Sequence, residues 1–277
     1  MNWRALRHNR RAVAGALIFA LFCLVALLAP VIVPYSPSDI NFTPLLHPSA
    51  SHLLGTTENG EDILSQLIWG ARASLFVGLV SGVLISLVQL VLGVFAGYVG
   101  GGFDMMAVAV TNVFLVLPSI PLLIILAAYL QGGGLVMLIA VITITGWAWG
   151  AKVLRSQAVA LRERPFVQAA RVSGESRSHI VFAHVVPNML GIMVSNFFGA
   201  ALYAILAEAG LEFIGLGNIN DITWGTMLYW AQQGSAILLG AWVWLLAPGF
   251  CVALLGTSLG LLNFAVDEIA NPRLRRD

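Results

Sequence analysis

The sequence predicts an all-α integral membrane protein with six transmembrane helices and both termini in the cytoplasm, and three observations carry that prediction. Hydrophobic residues fill 59% of the 277 positions and charged residues 10%, far from the balance of a soluble domain. The apolar residues gather into runs long enough to cross a bilayer core. All fourteen Lys and Arg residues except Arg72 fall into three groups, Arg4 to Arg11, Lys152 to Arg177 and Arg273 to Arg276, which alternating spans bring to one cytoplasmic face.

Val13 to Val33 is the first apolar run, longer than the 7–15 residues typical of a signal peptide and without a small-residue cleavage site, so it reads as a retained span behind a basic head. Tyr35 to Trp69 is polar, Pro- and Ser-rich, and carries Asp39, Glu58, Glu61 and Asp62 with no Lys or Arg, the profile of an outside loop. Within it, Ile63, Leu64, Leu67 and Ile68 share one helical face, which predicts a short amphipathic helix lying at the outer surface. His47 and His52 read as solvated turn residues.

Leu75 to Tyr98 makes a second span, with Gly78, Gly82, Gly93 and Gly97 spaced for close helix approach. A third runs from about Met105 to Leu130, with Asp104 as its cap and a static bend at Pro118 and Pro121. Gln131 to Gly134 turns the chain outside, and Leu135 to Trp149 returns it. A fifth span covers Leu190 to about Glu212. Gly217 to Trp230 is a second outside segment, and Gly240 to Val266 is the sixth span. Cys23 and Cys251 lie inside apolar runs, where a thiol acts as a small hydrophobe, so no disulfide is expected. Two parts follow: residues 1–72, comprising the head, the first span and the outer loop, and residues 73–277, a five-span core with a cytoplasmic loop at 151–189.

That loop is the one long charged segment between apolar blocks. Pro165 suits a first helical position, Phe166 to Val172 continue the helix, and Ser173-Gly174-Glu175-Ser176 breaks it. A second short helix from Arg177 is expected to stop at Pro187. Ala169 and Ala170 let the first helix sit deep in a groove of another protein, with Arg171 and Arg177 as polar anchors at the rim.

The run Gln168-Ala169-Ala170, three residues, Gly174, nine residues, then His184-Val185-Val186-Pro187 resembles the loop with which permeases of ATP-binding-cassette (ABC) importers dock into their ATPase subunits. Three further stretches are similar to the C-type subunit of the dipeptide, oligopeptide and nickel branch. They are Leu54 to Asp62 with Gly70 to Leu75, Glu208 to Gly217 with Thr223 to Leu228, and Pro248-Gly249 with Asn271 to Arg275. The resemblance implies a type I importer permease fold in a bacterial or archaeal cytoplasmic membrane. It also implies a second homologous permease, two ATPase subunits that bind ATP and Mg, and an extracytoplasmic binding protein.

By the same resemblance Gln168, Ala169, Ala170, Arg171, Gly174 and Pro187 couple the chain to the ATPases. Thr57 stands where the family usually has Asp, Glu61 where it has Arg, and Glu212 where Ser is common. Because the branch also handles nickel complexes and oligosaccharides, these stay open beside peptides as cargo. Glu208 and Glu212, one helical turn apart, read either as pathway or binding-protein contacts or as packing groups, and Trp224 either as a cargo contact or as an interfacial residue.

The residues also weigh against other classes. There is no phosphate-binding glycine loop followed by Lys and Ser or Thr, so the chain is expected to hydrolyse no ATP and to hold no cofactor. Neither inverted repeats nor mid-span charges appear, as an ion-coupled secondary transporter would require. No histidine spacing suggests a metal site on one helix, and nothing points to nucleic acid.

Overall fold

The computed structural model describes residues 9–130 and 132–270. The basic head to His8, Gln131 of the glycine turn, and the Asn271 to Asp277 tail with its basic group and family-like motif lie outside the described residues. Among the described residues every regular element is a helix, apart from one β-bridge between Thr56 and Asp62. Among the described residues four helices are long and apolar enough to cross a membrane, and the number rises to six where each of two bent pairs counts as one span.

Helix α1, Arg10–Ile32, is capped by the Asn9 side chain, which accepts from Arg11 N and Ala12 N. Most of its leucines are exposed, as lipid-facing positions are in a membrane helix, while Ala12, Gly15, Phe22 and Ala29 are buried. Gly15 matters here, because a Cβ would stand 2.9 Å from Ser258 O of the last helix. Asn9 Nδ2 donates to Glu268 Oε2 (2.9 Å), so the start of α1 and the last turns of the final helix share one end of the bundle.

Helix α2, Ile63–Gln89, starts at an Asp62 cap whose carboxylate accepts from Ser65 N at 2.8 Å. It passes through a π-turn, Leu90–Phe95, into Ala96–Val99. These 37 residues form one continuous helix, about 55 Å long at 1.5 Å per residue, well beyond the bilayer core. The separate surface helix expected before Trp69 is therefore the projecting first turns of the second span. Nothing between Ile63 and Leu75 breaks a helix: the lone Gly70 packs against the Thr223 backbone, where a Cβ would stand 3.2 Å away. The helix also runs through the boundary drawn between residues 72 and 73.

Helices α3, Gly101–Val116, and α4, Ser119–Tyr129, meet at 92°. The expected bend at Pro118 is thus a full break. Proline disfavours helical geometry in the residue before it, and both Leu117 and Pro118 are extended. Asp104 is not the cap of α3 but a residue of its first turn. Helices α5, Gly134–Gly146, and α6, Ala148–Arg162, form a second bent pair at 46°. Asp104 joins the two pairs: Arg155 Nε donates to Asp104 Oδ1 (2.6 Å) and Arg155 Nη2 to Oδ2 (2.7 Å). Both side chains remain partly exposed, so Asp104→Asn is expected to cost about 1 kcal/mol, read as a lower unfolding temperature in lipid nanodiscs. An unchanged temperature would mean that water already replaces the pair.

After α7, Pro165–Val172, and α8, Arg177–Ile180, a π-turn at Val181–Val185 leads directly into α9, Val186–Phe213. The expected stop at Pro187 does not occur. Proline cannot donate a backbone hydrogen bond and its ring crowds the preceding turn; the π-turn adds a residue there, with Val186 N donating to Val181 O. Helix α10, Trp224–Gln233, begins within the predicted second outside segment and runs three residues past its end at Trp230, and α11, Trp242–Ala270, closes the bundle. Both cysteines are free thiols within helices.

Three cores hold these elements. One joins Phe22, Leu75, Ile205, Trp224, Trp244 and Leu255 from α1, α2, α9, α10 and α11. A second joins α2, α4, α5 and α9 around Ile85, Leu138, Ile142 and Leu211. The third, with Tyr98, Leu154, Val167, Ile180 and Met189, lies under α7.

Candidate functional site: a projecting helix and a polar cleft

Helix α7 is short and two-faced. Val167 and Ala170 are buried in the third core, whereas the stripe Phe166, Ala169 and Val172 is exposed, with Val172 opposite the buried pair. Val172 is 88% exposed. The two alanines expected to act together are therefore split, Ala170 seating α7 on its own bundle and Ala169 facing outward. Gln168 turns back, its Nε2 donating to Arg162 O (3.1 Å) and Glu163 Oε2 (3.3 Å). Arg171 is exposed, with its guanidinium 5.9 Å from the Tyr98 ring. Gly174, at φ +82°, ends the helix, and Glu175 N returns to Ala170 O at 3.2 Å. Pro187 is exposed at the start of α9, on a different element from the other five residues. Gln168 to Gly174 thus lie on α7 and the turn that ends it.

The three residues considered for a pathway sit elsewhere. Glu208, Glu212 and Trp224 are all buried within the chain, at 0%, 1% and 1% exposure, which removes them from any open face. Ser74 Oγ donates to Glu208 Oε1 (3.0 Å) and accepts from Trp224 N (3.3 Å). Thr223 Oγ1 donates to Glu212 Oε2, and Trp224 Nε1 donates to Leu67 O at 3.0 Å. The group ties α2, α9 and α10 together. His52, expected in solvent, is likewise buried, sharing a 2.9 Å hydrogen bond with Asp62 and packing between Tyr35 and Phe42.

What the sequence did not disclose is a cleft of about 460 Å³ between α2, α3, α5, α6, α9 and α11, with polar side chains set in a largely apolar lining. Gln89, Thr145, Asn196, Tyr203 and Asn263 line it. Thr145 Oγ1 and Tyr203 OH are 3.2 Å apart, and Ser195 Oγ donates to Asn263 Oδ1 at 2.6 Å. Gln89 Oε1 and Asn196 Nδ2 are buried without a partner inside the chain. Such groups are costly in an apolar interior. Gly146 opens the wall, since a Cβ there would stand 2.7 Å from the Tyr203 ring.

A projecting two-faced helix and a polar cleft between membrane spans are the two parts a transport subunit needs. The family described as binding-protein-dependent transport system inner membrane component matches residues 89–276. The chain belongs to this family. The permease also matches, over residues 1–48, the N-terminal transmembrane domain of oligopeptide transport permease C. It is 33% identical over 277 residues to the dipeptide transport system permease protein DppC of Bacillus subtilis, covering 99% of this chain and 85% of that one. The DppC of Alkalihalophilus pseudofirmus is 34% identical over 278 residues, with 99% and 89% covered. The oligopeptide transport system permease protein OppC of Mycobacterium bovis is 32% identical over 255 residues, with 91% and 87% covered. The permease is therefore a multi-pass inner-membrane component of the type I importer fold and not a catalytic enzyme.

Proposed function

We propose that this permease forms half of the translocation pathway of an ATP-driven importer of peptides, with a second homologous permease supplying the other half. The end bearing α7 faces the cytoplasm, in keeping with the described basic residues there. Two ATPase subunits, which carry the ATP and Mg, receive α7; an extracytoplasmic binding protein presents cargo at the opposite end. The observation that carries this reading is the split of α7 into a face fixed to its own bundle and an exposed apolar face of Phe166, Ala169 and Val172. A helix anchored in this way moves the spans when its outer face is pushed.

Peptide is favoured over oligosaccharide or nickel complexes because the relatives are named for dipeptide and oligopeptide transport. The departures that left the alternatives open are accounted for inside the protein. Thr57 Oγ1 donates to Glu61 Oε2 (2.9 Å), so the replacements at these two positions compensate each other. Glu212 is buried against Thr223. The amide side chains that line the cleft, Gln89, Asn196 and Asn263, carry both donors and acceptors, as a peptide backbone does.

The test is Val172→Asp. Placing a charge on the outward face, where the side chain has no role in the fold, is expected to lower ATPase recovery with the purified permease by about tenfold, the effect of about 1.4 kcal/mol. Val167→Ile, on the inner face, should retain it. Full ATPase recovery with Val172→Asp would exclude this face as the docking surface.

A further inference from the structure

The turn after α7 brings together three side chains to which the transport reading gives no task. Glu175, His179 and His184 each offer a ligand atom, and those atoms all lie within 4.8 Å of one another. Glu175 Oε2 stands 2.9 Å from His184 Nε2 and 3.6 Å from His179 Nε2. The two imidazoles meet edge to face, with ring centres 6.1 Å apart.

Sequence spacing conceals this arrangement. In a regular α-helix, residues five apart point about 140° away from each other. Between His179 and His184 the chain passes through the π-turn Val181–Val185, whose extra residue turns the second histidine back toward the first. Glu175 comes from outside the helix, held in place by its own N–H to Ala170 O at 3.2 Å. The three ligands therefore converge because of two backbone devices, the glycine turn and the π-turn.

We propose that Glu175, His179 and His184 form a divalent-cation site of zinc type. Two imidazole nitrogens and one carboxylate oxygen are a donor set that Zn²⁺ accepts, with bonds of about 2.0–2.2 Å and a fourth position left to water. Tetrahedral bonds of that length hold ligand atoms about 3.3–3.5 Å apart, close to the 2.9 and 3.6 Å separations from Glu175. His179, exposed on a one-turn helix, closes the remaining gap by rotating its ring. A cation held there links the turn ending α7 to the root of α9. It clamps the angle between the projecting helix and the span that follows.

The site is tested on the full chain in lipid nanodiscs, with Zn²⁺ as the probe and a chromophoric chelator as competitor. His179→Ala changes only an exposed side chain, so folding is not at issue. It is expected to weaken the tightest zinc affinity by at least about tenfold, the scale of even outer-shell changes at metal sites. Hydrogen exchange across residues 173–180 is expected to slow with Zn²⁺ in the unaltered chain and not in the variant. Equal zinc affinity in the two proteins would overturn the site. Tight binding at these residues with no change in exchange would overturn the clamp.

Discussion

Trp224→Ala is expected to destabilise the folded chain by about 3–5 kcal/mol, the range for truncating a fully buried large aromatic. Trp224 is 1% exposed and belongs to the core shared by α1, α2, α9, α10 and α11. Its ring meets Phe22 edge to face with centres 5.4 Å apart, its indole N–H reaches Leu67 O at 3.0 Å, and its backbone N–H reaches Ser74 Oγ at 3.3 Å. The close approach of α2 at Gly70 leaves the surroundings little room to collapse into the cavity. Trp224→Phe keeps an aromatic ring and loses the indole donor, so a smaller cost is expected, with about 1 kcal/mol attributable to that hydrogen bond. Thermal unfolding in nanodiscs measures both. An alanine variant within about 1 kcal/mol of the unaltered chain would mean that the α2–α9–α10 tie is not rigid.

That expectation changes how the outer half is understood. The sequence left the glutamate pair open between pathway contacts and packing groups and Trp224 between a cargo contact and an interfacial residue, and it placed His52 in solvent. In the structure all of them face inward and hold the loops to the spans. Their burial makes the loop end a firm platform. Buried atoms without a partner occur in both halves, Glu208 Oε2 and Glu212 Oε1 in the outer one and Gln89 Oε1 and Asn196 Nδ2 beside the cleft.

The difference between what could and could not be read in advance has a physical origin. Helix α7 was legible because its signals are local: Pro165 at a first helical position and Gly174 at the end. The apolar runs were legible for the same reason. The path of α2 through Gly70 was not, because one glycine is tolerated wherever a distant segment packs on it, and Thr223 lies more than 150 positions away. The continuation through Pro187 depended on a π-turn that no residue type announces. The cleft draws single side chains from Gln89, Thr145, Asn196 and Asn263, each unremarked in its own run and meaningful only once the helices pack. Thr57 and Glu61, read separately in the sequence, are joined by a 2.9 Å hydrogen bond.

Replacing Gly174 with valine is expected to uncouple transport while leaving the bundle folded and cargo binding by the receptor intact. The argument rests on backbone conformation alone, because a Cβ at Gly174 would meet nothing within 4 Å. Its φ of +82° is one that side-chain-bearing residues resist. Holding a residue other than glycine there costs roughly 1–2 kcal/mol, and more for a β-branched one. The turn lies outside the buried cores, so the chain relieves that cost by re-forming the turn and re-aiming α7, without unfolding. A penalty of this size shifts the balance between correct and incorrect seating by roughly 5- to 30-fold, and transport rate should fall on that scale. Asparagine enters the left-handed region far more readily, so Gly174→Asn should keep most of the activity. Equal transport by the valine and asparagine variants would remove the turn from the coupling mechanism. An ordered series, glycine above asparagine above valine, would tie transport to the angle at which α7 leaves the bundle.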